Sequence, residues 1–132
     1  MNKQFLTLTF TTLLLTSCSI INERNTERLY KEATDYKGEI NFTEEEREAD
    51  KIMSYCNAYA LAHSFYVTDS DTYQSLTEKL FYYKMADIEK YNEVVNMKNA
   101  CYESHNITDE DIEKVNKKLE ERIEYLKKGT GK

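Results

Sequence analysis

A near absence of chain breakers constrains the fold of this chain most. The chain has no proline, and it has no glycine between Gly38 and Gly129. Glu, Lys, Leu and Ala, which are good helix formers, are frequent instead. Such a composition favours helices over a β fold, which needs frequent turns. We therefore predict an all-α domain, a small bundle of about four helices.

The clearest helix signals lie near the C-terminus. Thr108 is followed three residues later by Asp111, the pattern of a helix N-cap with a carboxylate in the first turn, and Ile107 can pack on Ile112. Apolar residues then recur every three or four positions as one stripe: Ile112, Val115, Leu119, Ile123 and Leu126. Gly129 is predicted to end this helix in a left-handed conformation.

Three helical segments are predicted before that one. A short helix around Leu29 closes at Gly38, and Thr43 with Glu46 forms the next N-cap. The following stretch YCNAYALAHSFYV is apolar nearly all round, which predicts a central, mostly buried helix. TDSD at 68–71 predicts a turn and a new cap. The third helical segment then carries these residues: Tyr73, Leu76, Leu80, Phe81, Ile88, Tyr91, Val95 and Cys101.

The first 17 residues have the layout of a secretory signal peptide. Lys3 precedes an apolar stretch at 5–15, and small residues follow. A membrane-spanning helix needs about 20 predominantly apolar residues, so this stretch is too short and too polar to be one. We exclude it from the fold prediction.

The end of this segment, Leu15-Thr16-Ser17-Cys18, resembles the lipobox of bacterial lipoproteins. The resemblance implies that diacylglycerol is joined to the Cys18 thiol, that cleavage occurs before Cys18, and that the new amine is acylated. Two or three chains on one residue would anchor a domain to a membrane stably, where a single chain would not. The alternative is an ordinary signal peptide whose Cys18 stays free or joins a disulfide.

The lipobox resemblance also predicts domain organisation and location. We divide the chain into a signal peptide at 1–17, a tether at 18–26 and a helical bundle at 27–132. In Gram-negative lipoproteins an Asp after the lipidated Cys favours retention at the inner membrane. Ser19 occupies that position here, which implies the periplasmic face of the outer membrane. In a Gram-positive cell the same signal implies the outer face of the plasma membrane.

The charge of the chain bears on its partners. Lys3 would leave with the signal, so 17 basic residues would face 24 acidic ones and the net charge would be −7. Such a domain is repelled by nucleic-acid phosphates and by anionic lipid headgroups. We therefore expect no nucleic acid as partner and membrane contact through the Cys18 anchor alone.

Two cysteines remain once Cys18 is lipidated. Disulfides persist outside the cytosol, so we expect a bridge between Cys56 and Cys101. With a turn near residue 69, Cys56 would lie about 20 Å down one helix and Cys101 about 48 Å down a straight neighbour, because each helical residue rises 1.5 Å. Bridged cysteines need Cα atoms within about 7 Å. The bridge therefore requires a chain reversal, which we predict near Asn92.

A metal site is the alternative for these cysteines, together with His63 and His105. Cys56 and His63 are seven residues apart on one predicted helix, whereas helical ligand pairs usually lie three or four apart. Cys101 and His105 have a workable spacing, but a bridged cysteine is not a thiolate ligand. We expect structural or surface histidines, with no metal and no cofactor.

Catalytic motifs do not emerge from the sequence. His63, Ser64 and Asp69 have the residue types of a hydrolytic site, but neighbours along a helix point in different directions. The chain contains no nucleophile-elbow motif, phosphate-binding loop or His-Glu-x-x-His motif. We predict a protein that is not an enzyme and assign no catalytic residue.

Eleven tyrosines are the remaining unusual feature of the composition. Tyrosine combines a large apolar ring with a polar hydroxyl, so it suits both helix packing and binding interfaces. Packing between helices explains most of them. Tyr82 and Tyr83, adjacent in the chain, are the first candidates for a surface that binds a protein, a peptide or a glycan.

The mature chain also resembles small helical periplasmic immunity proteins, which block cell-wall amidase effectors of the type VI secretion system. Cys56-x-x-Tyr59, Cys101, and Ile107-Thr108-x-x-x-Ile112-x-x-Val115-x-x-x-Leu119 carry the resemblance. Members of that family carry a disulfide. The chain differs at Asp111, where glutamine is usual, and we transfer no binding residues. We expect a lipid-anchored binding module with a protein partner. An immunity protein and a structural envelope lipoprotein without a discrete ligand are the alternatives.

Overall fold

The computed structural model of the protein describes residues 20–35, 37 and 40–130. These ranges contain five helices and no strand. The helices are α1 (20–34), α2 (Glu44–Ser64), α3 (Tyr73–Ala86), α4 (Ile88–Ser104) and α5 (Asp109–Thr130). The prediction of an all-α bundle is confirmed, with five helices instead of about four because the third predicted segment forms two.

Cys18 and the predicted signal peptide lie outside the described residues. Among the helices within them, none combines the length and the apolar content that crossing a bilayer would require.

Threonine residues begin three of the helices. The hydroxyls of Thr43, Thr72 and Thr108 each accept a hydrogen bond from the backbone N–H three residues later, at 3.0 to 3.2 Å. These bonds satisfy backbone donors that the first turn of a helix leaves without partners. The N-caps predicted at Thr43 and Thr108 are confirmed. The stop predicted at Gly129 is wrong, because this residue lacks a positive φ and α5 continues through it.

Asp87 separates α3 from α4. Its backbone leaves the helical region, with φ −151° and ψ 85°, while its N–H donates to the carbonyl of Tyr83 at 2.8 Å. Its carboxylate accepts from the backbone N–H of Lys90 at 3.2 Å, which starts α4. The chain reversal that the disulfide requires is therefore present, but the predicted position is wrong. Asn92 lies inside α4.

Helix α2 lies at the centre of the bundle, as predicted, and packs against α3, α4 and α5. Two hydrophobic clusters cover different parts of it. The first joins α1, α2, α3 and α4 through Leu29, Ala58, Ala60, Leu61, Ala62, Phe65, Leu76 and Val94. The second joins α2, α4 and α5 through Ile40, Phe42, Ala49, Met53, Cys56, Tyr102 and Val115.

Helix α1 includes the described part of the segment predicted as a tether. Residues 20–26 are helical and continue directly into the part of α1 that packs on the bundle. Thr26 is buried, and its hydroxyl donates to the carbonyl of Asn22 at 2.7 Å. The guanidinium of Arg28 donates to the carbonyls of Asp71 at 2.6 Å and Thr68 at 3.2 Å. These bonds hold α1 to the loop before α3.

Asp50 forms a buried ion pair that the sequence patterns do not reveal. The Lys37 ammonium lies 2.9 Å from the Asp50 carboxylate and 2.9 Å from the Ser54 hydroxyl. The two charged side chains are only 12% and 6% exposed. Burying two charges is compensated when they pair closely and gain a further hydrogen bond. This cluster fixes the segment after α1 on the surface of α2.

Candidate functional site

The largest group of exposed apolar side chains in the described residues lies where α3 meets α4, and a smaller one lies at 123–126 near the end of α5. Phe81 is 60% exposed, Tyr82 67%, Met85 90% and Ile88 53%. We call these four residues the α3–α4 patch. Single exposed apolar residues are common on protein surfaces, whereas grouped ones mark binding sites.

The patch exists because α3 is apolar on more than one face. Leu76 is buried, and Leu80 and Tyr83 pack partly buried against the first cluster. Successive side chains on a helix are separated by about 100°, since one turn takes 3.6 residues. Phe81 and Tyr82 therefore project away from the direction of Leu80 and Tyr83. One apolar face of α3 is buried in the bundle, and the other apolar face is exposed at the surface.

The two tyrosines proposed as an interaction surface occupy different environments. Tyr83 stacks on Phe65, with ring centroids 5.7 Å apart and an interplanar angle of 18°. Tyr82 is exposed and touches Tyr83 edge-on, with centroids 5.9 Å apart. The structure thus places Tyr82 within the patch and Tyr83 beneath it, as part of the supporting core.

Sequence reasoning missed the other members of the patch. Phe81 and Ile88 are predicted to lie on one helical segment with Leu76 and Leu80, and that segment is predicted to continue to about residue 92. Asp87 ends that helix, and both residues are exposed. The available signal was the pair Phe81 and Met85, which lie one turn apart and outside the stripe set by Leu76 and Leu80.

Two charged residues interrupt the patch in sequence, and both are engaged elsewhere. The ammonium of Lys84 lies 5.7 Å from the centre of the Tyr91 ring, a cation–π distance. The carboxylate of Asp87 caps α4 through the N–H of Lys90. An apolar centre bordered by charged groups is the usual anatomy of a protein interface.

A second chemical group joins α2 to α4. The sulfur atoms of Cys56 and Cys101 lie at disulfide-bonding distance, with Cα atoms 5.5 Å apart. Cys56 is fully buried in the second cluster, while Cys101 is partly exposed. The geometry fits the predicted pair.

His105 lies beside this cysteine pair. Its Nδ1 is 2.9 Å from the carbonyl oxygen of Cys101 and 4.0 Å from the Cys101 sulfur. One ligand atom each from Cys56, Cys101 and His105 falls within 4.8 Å of the others. When the two sulfurs are bonded to each other, neither is a thiolate that could hold a metal ion.

His63, the other histidine, is held by its own helix. Its Nδ1 lies 2.9 Å from the carbonyl oxygen of Tyr59, and its ring stacks on that tyrosine with centroids 3.9 Å apart. The hydroxyl of Ser64 points to the sulfur of Met97, at 3.7 Å. Within the described residues, no hydrogen bond joins His63 to Ser64 or Asp69.

Tyr102 is the tyrosine whose chemistry the fold changes most clearly. It is 6% exposed in the second cluster, and this burial raises the pKa of its hydroxyl to about 12, with a smaller contribution from the nearby Tyr73. Burial disfavours the phenolate, which carries the charge. Tyr102 is therefore a neutral core residue at physiological pH.

Comparison of the chain with protein-family models, with curated proteins and with solved structures finds no match. The resemblances to a lipobox and to immunity proteins are therefore supported only by the matching residues in the sequence.

Proposed function

We propose that this protein is a lipid-anchored protein of the bacterial envelope that binds a partner protein through the α3–α4 patch and catalyses no reaction. The observation that carries the proposal is the exposure of Phe81, Tyr82, Met85 and Ile88 within one short segment. Exposing these apolar side chains to water is unfavourable in free energy, and a partner that covered them would remove that cost.

The patch has the composition of a binding hot spot. Interfaces gain most of their binding energy from a few central residues, and aromatic side chains are enriched among them. Tyr82 supplies such a ring, and its hydroxyl can hydrogen-bond to a partner. Tyr83 contacts this ring edge-on and is itself held by its stack on Phe65. A supported ring loses little conformational entropy on binding, which favours affinity.

Residue 20, two positions after the proposed anchor at Cys18, is already part of α1. Helical structure this close in sequence to the lipid would hold the bundle near the membrane. We propose the periplasmic face of the outer membrane as its location, on the basis of Ser19. In a Gram-positive host the equivalent location is the outer face of the plasma membrane.

Cys18→Ser tests the anchor. The variant is expected to remain unprocessed or to be mislocalised, while wild type fractionates with membranes and carries a mass increment of acyl chains on its N-terminus. Normal processing and membrane fractionation of the variant would overturn the proposed anchor.

Site-specific photocrosslinking in intact cells tests the partner. A crosslinking amino acid replaces Tyr82 in one variant and Tyr125 in the other; each tyrosine is 67% exposed in the wild type. We expect a discrete crosslinked protein from position 82 that is absent from position 125. Identical crosslinking from both positions, or none from position 82, would contradict binding through the patch.

The identity of the crosslinked protein also separates the alternatives. A cell-wall-degrading enzyme captured at position 82 would make this protein its inhibitor, in agreement with the immunity-protein resemblance. Capture of another envelope protein of the same bacterium would indicate that this protein belongs to an envelope assembly. Absence of any partner would leave a structural lipoprotein.

A further inference from the structure

A small cavity lies between α2, α3 and α4, separate from the cysteine pair. Its volume is about 200 Å³, and its walls are largely apolar, with Leu61, Phe81, Val94 and Val95 among them. Ligand pockets for drug-sized molecules occupy about 300–1,000 Å³. This cavity is therefore suited to a smaller molecule with a hydrocarbon part.

Lys98 also lines this cavity, and it is the one charged residue among the described residues of the wall. The side chain is half-buried, and burial lowers the pKa of its ammonium from the ordinary value. Its Nζ lies 5.5 Å from the centre of the Tyr102 ring. A ring face offsets only part of the hydration that a buried cation loses.

The other partly buried lysines of the bundle each have a carboxylate partner, whereas Lys98 has none among the described residues. Lys37, Lys90 and Lys118 each lie 2.9 to 3.8 Å from a carboxylate oxygen. Within the described ranges, no carboxylate lies within ion-pair distance of Lys98. An anion in the cavity would supply the charge partner that the protein itself does not provide.

Two other polar residues of the cavity wall already have partners in the fold. The hydroxyl of Thr77 donates to the carbonyl of Tyr73 at 2.8 Å. The amide of Asn57 lies close enough to the Tyr102 hydroxyl to oppose part of the rise in its pKa. The electrostatic preference of the cavity is therefore set mainly by the Lys98 ammonium.

We propose that this cavity binds a small amphiphilic carboxylate, with its carboxylate paired to Lys98 and its short hydrocarbon chain against Leu61, Val94 and Val95. One ammonium suits one negative charge; a phosphate carries more charge and needs more donors than a single lysine offers. The proposal does not rest on the α3–α4 patch or on its partner, although Phe81 contributes to both sites.

Hexanoate and hexanamide test the proposal as a matched pair of probes, since they share a chain length and differ in charge. The full-length chain is held in phosphatidylcholine nanodiscs, and ligand binding is measured by calorimetry after subtraction of empty nanodiscs. Wild type is expected to bind hexanoate saturably and at least about tenfold more tightly than hexanamide, because a hydrogen bond to a charged group is worth more than one between neutral groups. Absence of saturable hexanoate binding, or equal affinity for both probes, would overturn the proposal.

Variants locate the binding. Lys98→Gln is expected to weaken hexanoate binding at least about tenfold and to leave hexanamide binding unchanged. The control Lys31→Gln removes an exposed lysine of α1 and is expected to change neither. Val95→Phe fills the cavity while keeping Lys98, and should abolish binding of both probes. Circular dichroism confirms that each variant is folded. Unchanged hexanoate affinity in folded Lys98→Gln or in folded Val95→Phe would refute the site.

Discussion

Removal of the bridge between Cys56 and Cys101 is the perturbation whose effect the structure specifies best. The two residues are separated by 45 positions, and their sulfurs lie at bonding distance. A cross-link restricts the unfolded chain, and the loop-entropy relation for a closure of this length gives about 4 kcal/mol at 25 °C. The double variant Cys56→Ala/Cys101→Ala is therefore expected to lose about 4 kcal/mol of the free energy of unfolding.

Urea denaturation followed by far-UV circular dichroism measures this loss. With a denaturant dependence of about 1–3 kcal/mol per molar, the unfolding midpoint should fall by about 1–4 M. A reducing agent supplies the internal control. It should destabilise wild type to the level of the double variant and leave the double variant unchanged.

Two results would refute the reasoning. Equal stability of oxidised wild type and the double variant would show that the cross-link does not restrict the unfolded chain as calculated. Free thiols at Cys56 and Cys101 in protein isolated from the envelope, detected by alkylation and mass spectrometry, would show that the bridge does not form. The chain reversal at Asp87 would then have to be explained by helix packing alone.

Three further predictions concern stability and titration. Thr43→Ala removes the N-cap of α2 and should cost about 1 kcal/mol, measured by urea denaturation; a loss below about 0.3 kcal/mol would show that the cap is dispensable. Leu76→Ala empties a buried core position and should cost about 2–5 kcal/mol, whereas Tyr82→Ala at the surface should stay within about 0.5 kcal/mol; similar losses would contradict the assigned burial. The raised pKa of Tyr102, about 12, predicts that one tyrosine ionises well after the exposed ones in an absorbance titration, and that Tyr102→Phe removes this step. The folded state favours neutral Tyr102, so the stability that Tyr102 contributes is complete below pH 10 and is lost as the pH rises towards about 12. If wild type and Tyr102→Phe lost stability identically over this pH range, the raised pKa of Tyr102 would be contradicted.

Local signals in the sequence predict the helices well. A cap involves residues three positions apart, so Thr43 with Glu46 and Thr108 with Asp111 are visible without tertiary information. The near absence of glycine and proline predicts the all-α class for the same reason. Gly129 shows the limit of such reasoning, because a glycine permits a helix to end but does not force it to.

The position of the chain reversal depends on non-local contacts. Asp87 and Asn92 are both residue types that cap helices, and sequence alone does not rank them. The chain breaks at Asp87, and α4 then packs against both α2 and α3. The Lys37–Asp50 pair is similarly invisible, since it joins residues from separate elements.

The candidate site could be predicted only in part. The abundance of tyrosine indicates Tyr82 as a candidate, but the exposure of each side chain of α3 depends on which face of α3 packs in the core. In the fold, Tyr83 packs partly buried against the first cluster, and Phe81, Met85 and Ile88 are exposed at the surface. The cavity beside Lys98 requires three helices to meet, and no short motif encodes it.

The affinity of the partner for matched tyrosine variants tests the central claim most directly. The protein captured from position 82 is purified, and its dissociation constant is measured for wild type, Tyr82→Ala and Tyr125→Ala. Loss of a hot-spot side chain costs about 2 kcal/mol or more, so Tyr82→Ala should weaken binding by about 30-fold while Tyr125→Ala stays within about twofold of wild type. Equal affinities for all three proteins would contradict binding through the α3–α4 patch.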